Sequence, residues 1–306
     1  MKRRDFIVRT TLSGLGLASG FVPFSVLEDH DITRLTILHT NDVHSRVDPF
    51  PMDGSRNEGQ GGVSRRATLV ERIRESEDNV LLFDCGDIFQ GTPYFNFFGG
   101  ELELKLMSEL KYDACTIGNH DFDGGIDGLH DQMPNANFPF LIANYDFDNT
   151  ILRNKTKPYK IFMQNGIKIG VFGLGIELTG LVPKALYKET QYQDPIEIGN
   201  RISKQLRFDE KCDFVICLSH LGYKYRDDKD KVSDIHLAEN TEEIDMILGG
   251  HTHTFMSEPD IRTNKKGEEV VINQAGWAGI MLGRLDVFFE KNKKGKCVSC
   301  KNTYVV

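Results

Sequence analysis

The sequence has no long run of basic residues interleaved with aromatic side chains, and its formal net charge is −8. A surface that binds a nucleic-acid polymer normally carries the opposite charge, so this absence argues against nucleic-acid binding. Short basic clusters such as residues 291–294 are interpreted as solvated turns. A chain of 306 residues with 40% hydrophobic and 27% charged side chains has the composition of a globular protein with a sizeable core.

The sequence also lacks the paired CxxC motifs of a zinc ribbon. Cys297 and Cys300 form a single CxxC motif, for which we expect a local disulfide. Cys85, Cys115 and Cys217 lie in or beside apolar stretches, where a buried free thiol is the common state.

A long apolar run of the kind that spans a membrane is missing as well. Residues 11–27 are weakly hydrophobic and contain glycine and serine, so they do not predict a stable spanning helix. They follow a pair of arginines and an apolar pair within residues 3–7, a pattern that resembles a twin-arginine export signal. We therefore expect residues 1–27 to be an export signal and the mature protein to act in the periplasm or otherwise outside the cytoplasm.

The sequence does contain an alternation of short apolar stretches with amphipathic patterns. The amphipathic patterns predict helices at residues 63–77, 101–110 and 195–206, and the apolar stretches between them predict strands. One of these predicted strands covers residues 140–143. Strands and helices that alternate in this way are typical of an α/β protein.

Five of the predicted strands end in aspartate, asparagine or histidine. In chain order, the side chains at these strand ends are Asp42 and His44, then Asp87, then Asn119, His120 and Asp123, then His220, then His251 and His253. In open α/β sheets, ligands bind beyond the carboxyl ends of the strands, so we expect these side chains to meet in one site. One or two such ends would be ordinary surface turns, but five indicate a functional site.

The chemistry of this set suits metal ions. Imidazole, carboxylate and amide oxygen ligands bind borderline divalent cations such as Zn²⁺, Mn²⁺ or Fe²⁺. The candidate ligands are Asp42, His44, Asp87, Asn119, His220, His251 and His253, which is too many for one four-coordinate ion. One bridging carboxylate would divide them into two sites of four ligands each. Two ions about 3.5–4 Å apart form a clamp used for phosphoester cleavage. The sequence therefore predicts two divalent metal ions, and it does not distinguish Zn, Mn, Fe, Mg and Co.

The motifs at the strand ends resemble those of the calcineurin-like metallophosphoesterases. The motifs are Asp42-x-His44, Gly86-Asp87, Gly118-Asn119-His120-Asp121, His220 and Gly250-His251-x-His253. Residues 38–44, 118–123 and 274–276 are similar, more narrowly, to the N-terminal domain of bacterial 5′-nucleotidases. The similarity extends over about residues 33–290.

This resemblance implies a four-layer αββα sandwich, with residues 33–306 as a single metallophosphoesterase catalytic domain. It implies that one ion takes Asp42, His44, Asp87 and His253. The other ion would take Asp87, Asn119, His220 and His251, with Asp87 as the bridge. A catalytic dyad maps onto His120 and Asp123. Asp121 falls where relatives often carry glutamate, and it is interpreted as structural.

The resemblance also implies a phosphomonoesterase, similar to 5′-nucleotidases, that releases phosphate from nucleotides by attack of a metal-bridging hydroxide. A small phosphoester would be its substrate. A cyclic-nucleotide phosphodiesterase, a UDP-sugar hydrolase or another hydrolase on this scaffold, including one for sulfur-containing substrates, would share every ligand. A non-catalytic metal-binding module remains an alternative, against which His120 and Asp123 argue because binding alone does not need them.

Complete 5′-nucleotidases carry a second domain of comparable size that holds the nucleoside, and this sequence ends at Val306. We expect phosphoester chemistry to persist and base selectivity to be weak. A separately encoded protein resembling the nucleotidase C-terminal domain is the expected partner.

Several other histidine and aromatic residues are expected to have no role in the site. His30, His130 and His236 lie among charged residues and are expected to be solvated. The three phenylalanines at positions 95, 97 and 98 are expected to pack in the core under a loop, and a base-binding surface is the alternative. Trp277, in the loop of residues 276–279, is an alternative for the border of the site, and no role is assigned to it.

Overall fold

The computed structural model describes residues 32–228, 231–290 and 296–306. The expected export signal at residues 1–27 lies outside these ranges, as does His30. Among the described residues, no helix combines the length and the apolar character that crossing a bilayer requires.

Two six-stranded sheets form the centre of the molecule. The first has the order β13-β12-β1-β2-β3, with β14 paired to β12. Its strands are β1 (Ile32–Thr40), β2 (Val80–Asp84), β3 (Ala114–Cys115), β12 (Met281–Glu290), β13 (Lys296–Cys300) and β14 (Thr303–Tyr304). Strands β1, β2 and β3 run parallel, and β12 runs antiparallel to β1.

The second sheet has the order β10-β11-β9-β8-β6-β5. Its strands are β5 (Tyr159–Gln164), β6 (Ile167–Leu174), β8 (Phe214–Ser219), β9 (Met246–Gly249), β10 (Asp260–Thr263) and β11 (Glu269–Asn273). The four central strands, β6, β8, β9 and β11, are parallel. Two short strands, β4 (Tyr145–Asp146) and β7 (Gln191–Tyr192), form a separate pair.

Side chains that alternate along the strands bury both faces of each sheet. Leu35 of β1 and Ile216 of β8 belong to one buried cluster between the two sheets, which we call the inter-sheet core. Leu38 of β1 faces the other way, into a cluster with Val70 of a helix. On the second sheet, Val215 likewise turns outward toward helical residues. Because side chains alternate with a period of two, each apolar strand serves both layers.

Helices cover the two outer faces. The α-helices are α1 (Val63–Ser76), α2 (Pro93–Phe98), α3 (Glu101–Glu109), α4 (Gly125–Gln132), α5 (Lys184–Tyr187), α6 (Pro195–Lys204) and α7 (Asp234–Asn240). Short 3₁₀ helices span His120–Phe122 and Met133–Asn135, and a π-helix at Gln205–Asp209 extends α6. Helices α1, α3 and α4 pack on the first sheet, and α6 and α7 pack on the second. The predicted four-layer αββα sandwich is confirmed.

The segment 140–143 differs from its predicted strand. Its backbone makes only isolated bridges, Cys115 with Phe140 and Leu141 with Lys157. Leu141 N–H donates to the Cys115 carbonyl in the first sheet, whereas Ala143 N–H donates to the Gly173 carbonyl in the second. The segment crosses from one sheet to the other, so it joins neither as a strand.

The expected disulfide within the CxxC motif is wrong, because Cys300 is a free thiol. Both cysteines lie in the extended strand β13. Three residues of strand separate their Cα atoms by about 10 Å, beyond the roughly 7 Å that a disulfide spans. The cysteines expected to be buried free thiols, Cys85, Cys115 and Cys217, are buried and free.

Candidate metal centre

The loops at the carboxyl ends of five parallel strands meet at one edge of the sandwich. The first sheet contributes the loops after β1, β2 and β3, and the second contributes the loops after β8 and β9. Hydrogen bonds donated by backbone N–H groups join these loops directly. Asp42 N–H donates to the Gly86 carbonyl over 2.9 Å, and His251 N–H donates to the Asp42 carboxylate over 2.9 Å. The site is therefore built across both sheets.

Asp42, His44 and His253 form the first of two groups whose ligand atoms lie within 4.8 Å of one another. The Nε2 atoms of the two histidines are 3.0 Å apart. Asp42 Oδ1 lies 3.4 Å from His253 Nε2 and 3.9 Å from His44 Nε2. Two ring nitrogens and a carboxylate oxygen directed at one point can hold a divalent cation.

Asp87, His220 and His251 form the second group. His220 Nε2 lies 3.1 Å from Asp87 Oδ2. Asn119 joins this group through its Oδ1 atom, which is 2.8 Å from His251 Nδ1. Asp87 Oδ2 also lies 4.0 Å from His44 Nε2 of the first group. Asp87 therefore stands between the two groups, where a bridging carboxylate would be.

Hydrogen bonds fix which nitrogen two of these histidines present. His220 Nδ1 is 2.6 Å from the Cys85 carbonyl, and His44 Nδ1 is 3.2 Å from the Phe89 carbonyl. A carbonyl only accepts, so each Nδ1 carries the proton and, in the neutral ring, Nε2 has a free lone pair. His220 Nε2 is buried and makes no hydrogen bond within the described part of the chain, although Asp87 is at ion-pair distance. An orphaned buried nitrogen directed at carboxylates fits a metal ligand.

Burial and the neighbouring carboxylates shift the pKa values of these histidines in opposite directions. Burial by itself lowers the pKa of His220, but the adjacent Asp87 and Asp42 carboxylates raise it to about 10. Burial lowers the pKa of His251 to about 4 and lowers that of His44. The Asp42 and Asp87 carboxylates therefore favour a positive charge on His220, whereas burial favours the neutral rings of His251 and His44.

Backbone strain is concentrated in the same loops. Positive φ angles, between 48° and 71°, occur at Asp42, His44, Asp87, His251 and His253. Residues other than glycine rarely adopt this left-handed region, and each instance costs of order 1 kcal/mol or more. The surrounding hydrogen bonds hold these residues there, and the strained turns direct five polar side chains inward from the strand ends.

His120 and Asp123 lie beside the two groups as a hydrogen-bonded pair. The 3₁₀ helix at His120–Phe122 brings them together, with His120 Nδ1 3.1 Å from Asp123 Oδ2. This hydrogen bond raises the pKa of His120. His120 N–H also donates to Asp87 Oδ1 over 2.8 Å, which ties the pair to the centre.

Asp121 is buried and belongs to neither ligand group. One of its oxygens accepts from Gly118 N–H and Asp87 N–H, and the other accepts from Ile88 N–H and Phe89 N–H. Burial raises its pKa to about 7. The carboxyl joins the loop after β2 to the loop after β3, which agrees with its structural interpretation.

A pocket of about 160 Å³ opens over the centre. Its lining comprises His44, Arg46, Gln90, Gly91, Thr92, His120, His253, Trp277 and Ala278. Arg46, Gln90 and Thr92 were not predicted from the sequence, because none belongs to a ligand-like pattern at a strand end. Trp277 was considered only as a residue at the border of the site, without a role. The single tryptophan of the sequence, in the glycine-containing loop of residues 276–279, was the one signal that could have pointed to Trp277 as a lining residue.

The histidines and phenylalanines that were expected to lie outside the site agree only in part with their predictions. His130 and His236 lie outside the site, but both are partly buried rather than fully solvated, and His236 contacts Ser233 at the start of α7. Phe95 packs against the core and stacks on Phe89, as expected. Phe97 and Phe98, however, are 81% and 47% exposed. Helix α2 is only six residues long and carries Phe97 on the face opposite the core, so the prediction for these two residues was wrong.

Comparison with known proteins agrees with this geometry. The family model described as calcineurin-like phosphoesterase matches residues 35–255. The chain is 33% identical to a snake venom 5′-nucleotidase from Naja atra, over 89% of this chain and 53% of the relative. It is 32% identical to a 5′-nucleotidase from Vibrio cholerae, over 95% of this chain and 56% of the relative.

A solved structure shows the same likeness. The crystal structure of a 5′-nucleotidase precursor from Thermus thermophilus superposes with a TM-score of 0.80 at 30% identity, covering 89% of this chain and 54% of that one. This chain thus spans about half the length of the relatives it matches. The family model covers most of the chain. The fold of this chain and its converging ligand groups agree with that match. The chain therefore belongs to the calcineurin-like phosphoesterase family.

Proposed function

We propose that this protein is a metal-dependent phosphomonoesterase that acts on nucleoside 5′-monophosphates. The observation that carries the proposal is the arrangement of two ligand groups around Asp87, with the His120–Asp123 pair on the same pocket. Relatives named as 5′-nucleotidases, from a snake and a bacterium, support this choice of substrate.

In this proposal, Asp42, His44, Asp87 and His253 hold one divalent ion. Asp87, Asn119, His220 and His251 hold the other. Two ions bound there would neutralise charge on the phosphoryl group and supply a nucleophile at neutral pH.

His120 is assigned to the leaving oxygen. Its Nδ1–H donates to Asp123, so the proton on Nε2 is available on the pocket side of the ring. The hydrogen bond to Asp123 raises the pKa of His120, which favours the charged ring that can donate this proton as the ester bond breaks. Asp123 orients the ring and stabilises its charge, as a carboxylate does in other dyads.

Metal content tests the first part of the proposal. After mild purification, or after supplementation with divalent ions, the protein should hold close to two equivalents per chain. Asp87→Asn should lower the occupancy of both sites, because Asp87 lies between the two groups. A metal content that stays at zero ions per chain under supplementation would refute the proposal.

Phosphate release tests the second part. AMP, a UDP-sugar, a cyclic nucleotide and bis-p-nitrophenyl phosphate should be compared, with AMP the preferred substrate of the panel. His120→Ala should lower kcat by about 10²–10⁴-fold without loss of metal. His130→Ala is the matched control, since His130 contacts Asp131 outside the site. Preferred cleavage of the cyclic nucleotide or the UDP-sugar would instead favour the corresponding alternative activity.

We further propose that residues 33–306 form the catalytic domain and that a separate protein resembling the nucleotidase C-terminal domain improves nucleotide binding. Binding energy from remote parts of a substrate contributes to kcat as well as KM. Adding such a partner should raise kcat/KM for AMP far more than for an aryl phosphate. Equal effects on the two substrates would contradict this partnership.

Export by the twin-arginine route is also proposed, from Arg3 and Arg4 and the apolar stretch that follows them. Changing both arginines to lysine should leave the full-length protein inside the cell. The same change at Arg65 and Arg72, both in α1, is the control. Unchanged export of the Arg3→Lys, Arg4→Lys protein would refute this route.

A further inference from the structure

Trp277, the single tryptophan of the sequence, lines the pocket beside the proposed metal ligands. Its ring lies parallel to that of His253, with an angle of 8° between the planes and 5.7 Å between the centroids. The side chain is only partly buried. A partly exposed aromatic ring, with one face on His253, therefore borders the place where the phosphoryl group is proposed to bind.

Other side chains hold this ring in place. Phe50 packs against it edge-on, with 5.9 Å between the ring centroids, and the Arg46 guanidinium lies 4.1 Å from the Phe50 ring centroid. We call Arg46, Phe50 and Trp277 the aromatic wall. Arg46 belongs to the loop that follows β1, so the wall begins in the same segment as Asp42.

The backbone of the wall is attached to the centre. Ala278 N–H donates to the Asp42 carbonyl over 2.7 Å, and Gly276 N–H donates to the Thr254 carbonyl over 3.0 Å. A residue on each side of Trp277 is thus tied to one of the loops that carry proposed ligands. Because the wall is fixed before a ligand arrives, a ligand would lose little free energy in ordering it.

We propose that the aromatic wall binds the nucleobase of the substrate by stacking on Trp277, an inference that rests on the proposed function. His44, His120 and Trp277 line the same pocket. A nucleoside whose phosphoryl group lies at the ligand groups, with its leaving oxygen at His120, would therefore have the Trp277 ring within that pocket. Planar heteroaromatic rings stack on tryptophan, and a nearby guanidinium adds cation–π attraction. Every base has a π-face, so this wall distinguishes a nucleotide from a sugar phosphate but discriminates little between bases.

The single tryptophan makes binding directly measurable. Adenosine, which carries no phosphate, should quench the intrinsic fluorescence of the metal-loaded protein saturably, and AMP should compete with it. Ribose, which has no base, should leave the fluorescence unchanged. Absence of adenosine quenching, or equal quenching by ribose, would overturn the proposal whether or not the protein hydrolyses AMP.

Turnover gives a second, independent measurement. In Trp277→Ala, the ratio of kcat/KM for AMP to that for ribose 5-phosphate should fall about 10-fold, and Trp277→Phe should restore most of it. Phe208→Ala, at an exposed aromatic residue of the π-helix, should leave the ratio unchanged. An equal loss on both substrates in Trp277→Ala, with reduced metal content, would mean that Trp277 only supports His253, and the proposal would be wrong.

The two proposals fail separately. If no phosphoester is hydrolysed but adenosine still quenches Trp277 with competition from AMP, the wall is supported and the phosphatase proposal fails. If AMP is hydrolysed but Trp277→Ala leaves the substrate ratio intact, the wall is refuted and the phosphatase proposal stands.

Discussion

At the scale of single residues, the proposed role of Asp123 depends on its contact with His120. In Asp123→Asn the charged hydrogen bond is lost, so the pKa of His120 should fall. The proposed donor is the protonated ring, which is populated below its pKa. The alkaline limb of the kcat/KM profile should therefore move to lower pH, with a loss of about 10-fold or more at the optimum. A limb that stays in place would show that His120 is not the titrating acid.

Asp84, three residues before Asp87, offers a pH test of stability at a carboxyl that is not itself a proposed ligand. Its buried carboxyl accepts from Thr40 Oγ1 and Gly86 N–H, and burial raises its pKa to about 7. Between about pH 4 and 7 the folded state keeps a proton that the unfolded state has lost. Stability should therefore fall as pH rises through this window, by up to about 1.4 kcal/mol per pH unit from this group.

The variant Asp84→Asn has no such titration, so its stability relative to the wild type should increase from pH 5 to pH 7.5. Urea unfolding in the presence of a chelator measures the difference without interference from metal binding. Asp148→Asn, at an exposed carboxylate, is the matched control. A difference between Asp84→Asn and wild type that is the same at both pH values would contradict the assignment.

Chemical type decided which residues could be predicted from the sequence. All the proposed ligands are residues whose donor atoms bind cations, and their positions after apolar stretches placed them at strand ends. Trp277 and Arg46 carry no such signature, since aromatic and basic residues in loops are common. The left-handed backbone at Asp42 and His253 was also invisible, because no glycine marks these positions.

At the scale of secondary-structure elements, Gly118 determines how closely the loops after β2 and β3 approach. A Cβ at this position would lie 2.1 Å from Asp87 Oδ1 and 2.5 Å from Asp87 N. Gly118→Ala should displace the proposed bridging carboxylate, lower metal content and reduce kcat/KM by at least about 100-fold. Overpacking should also destabilise the fold by about 1–3 kcal/mol.

Gly128 provides the matched control in helix α4. A Cβ there meets no atom within 4 Å. Gly128→Ala should keep full activity and raise helix stability by up to about 1 kcal/mol. If the two alanine variants behave alike in metal content and turnover, close packing of the two loops is not what positions Asp87.

The elements themselves were predictable where one periodicity held over a whole segment. Strand β8 and helices α1 and α3 lie where apolar spacing predicted them, within a few residues at their ends. The segment 140–143 has the composition of a strand but divides its hydrogen bonds between two sheets. Composition reports burial, and it does not report which neighbour supplies the hydrogen bonds.

At the scale of the whole molecule, metal binding should stabilise the folded chain, because the ligands meet only when both sheets are docked. A site occupied at 100 times its dissociation constant adds about 2.7 kcal/mol. Chelation should therefore lower Tm by roughly 5 °C or more. Asp87→Asn should show a much smaller chelator effect. Equal Tm values for wild type with and without chelator, at confirmed metal loading, would contradict the linkage.

Asp87 follows a strand of the first sheet, and His220 and His251 follow strands of the second. The inter-sheet core therefore sets the distance between these ligands. Leu218 and Leu248 belong to that core, two and three residues before these histidines. Stacked sheets lie about 10 Å apart, and a densely packed interior resists compression. The distance between the ligands from the two sheets therefore depends on the thickness of the inter-sheet core. Heat or pressure that changes this thickness should change the geometry of the centre and, with it, the rate of the proposed reaction.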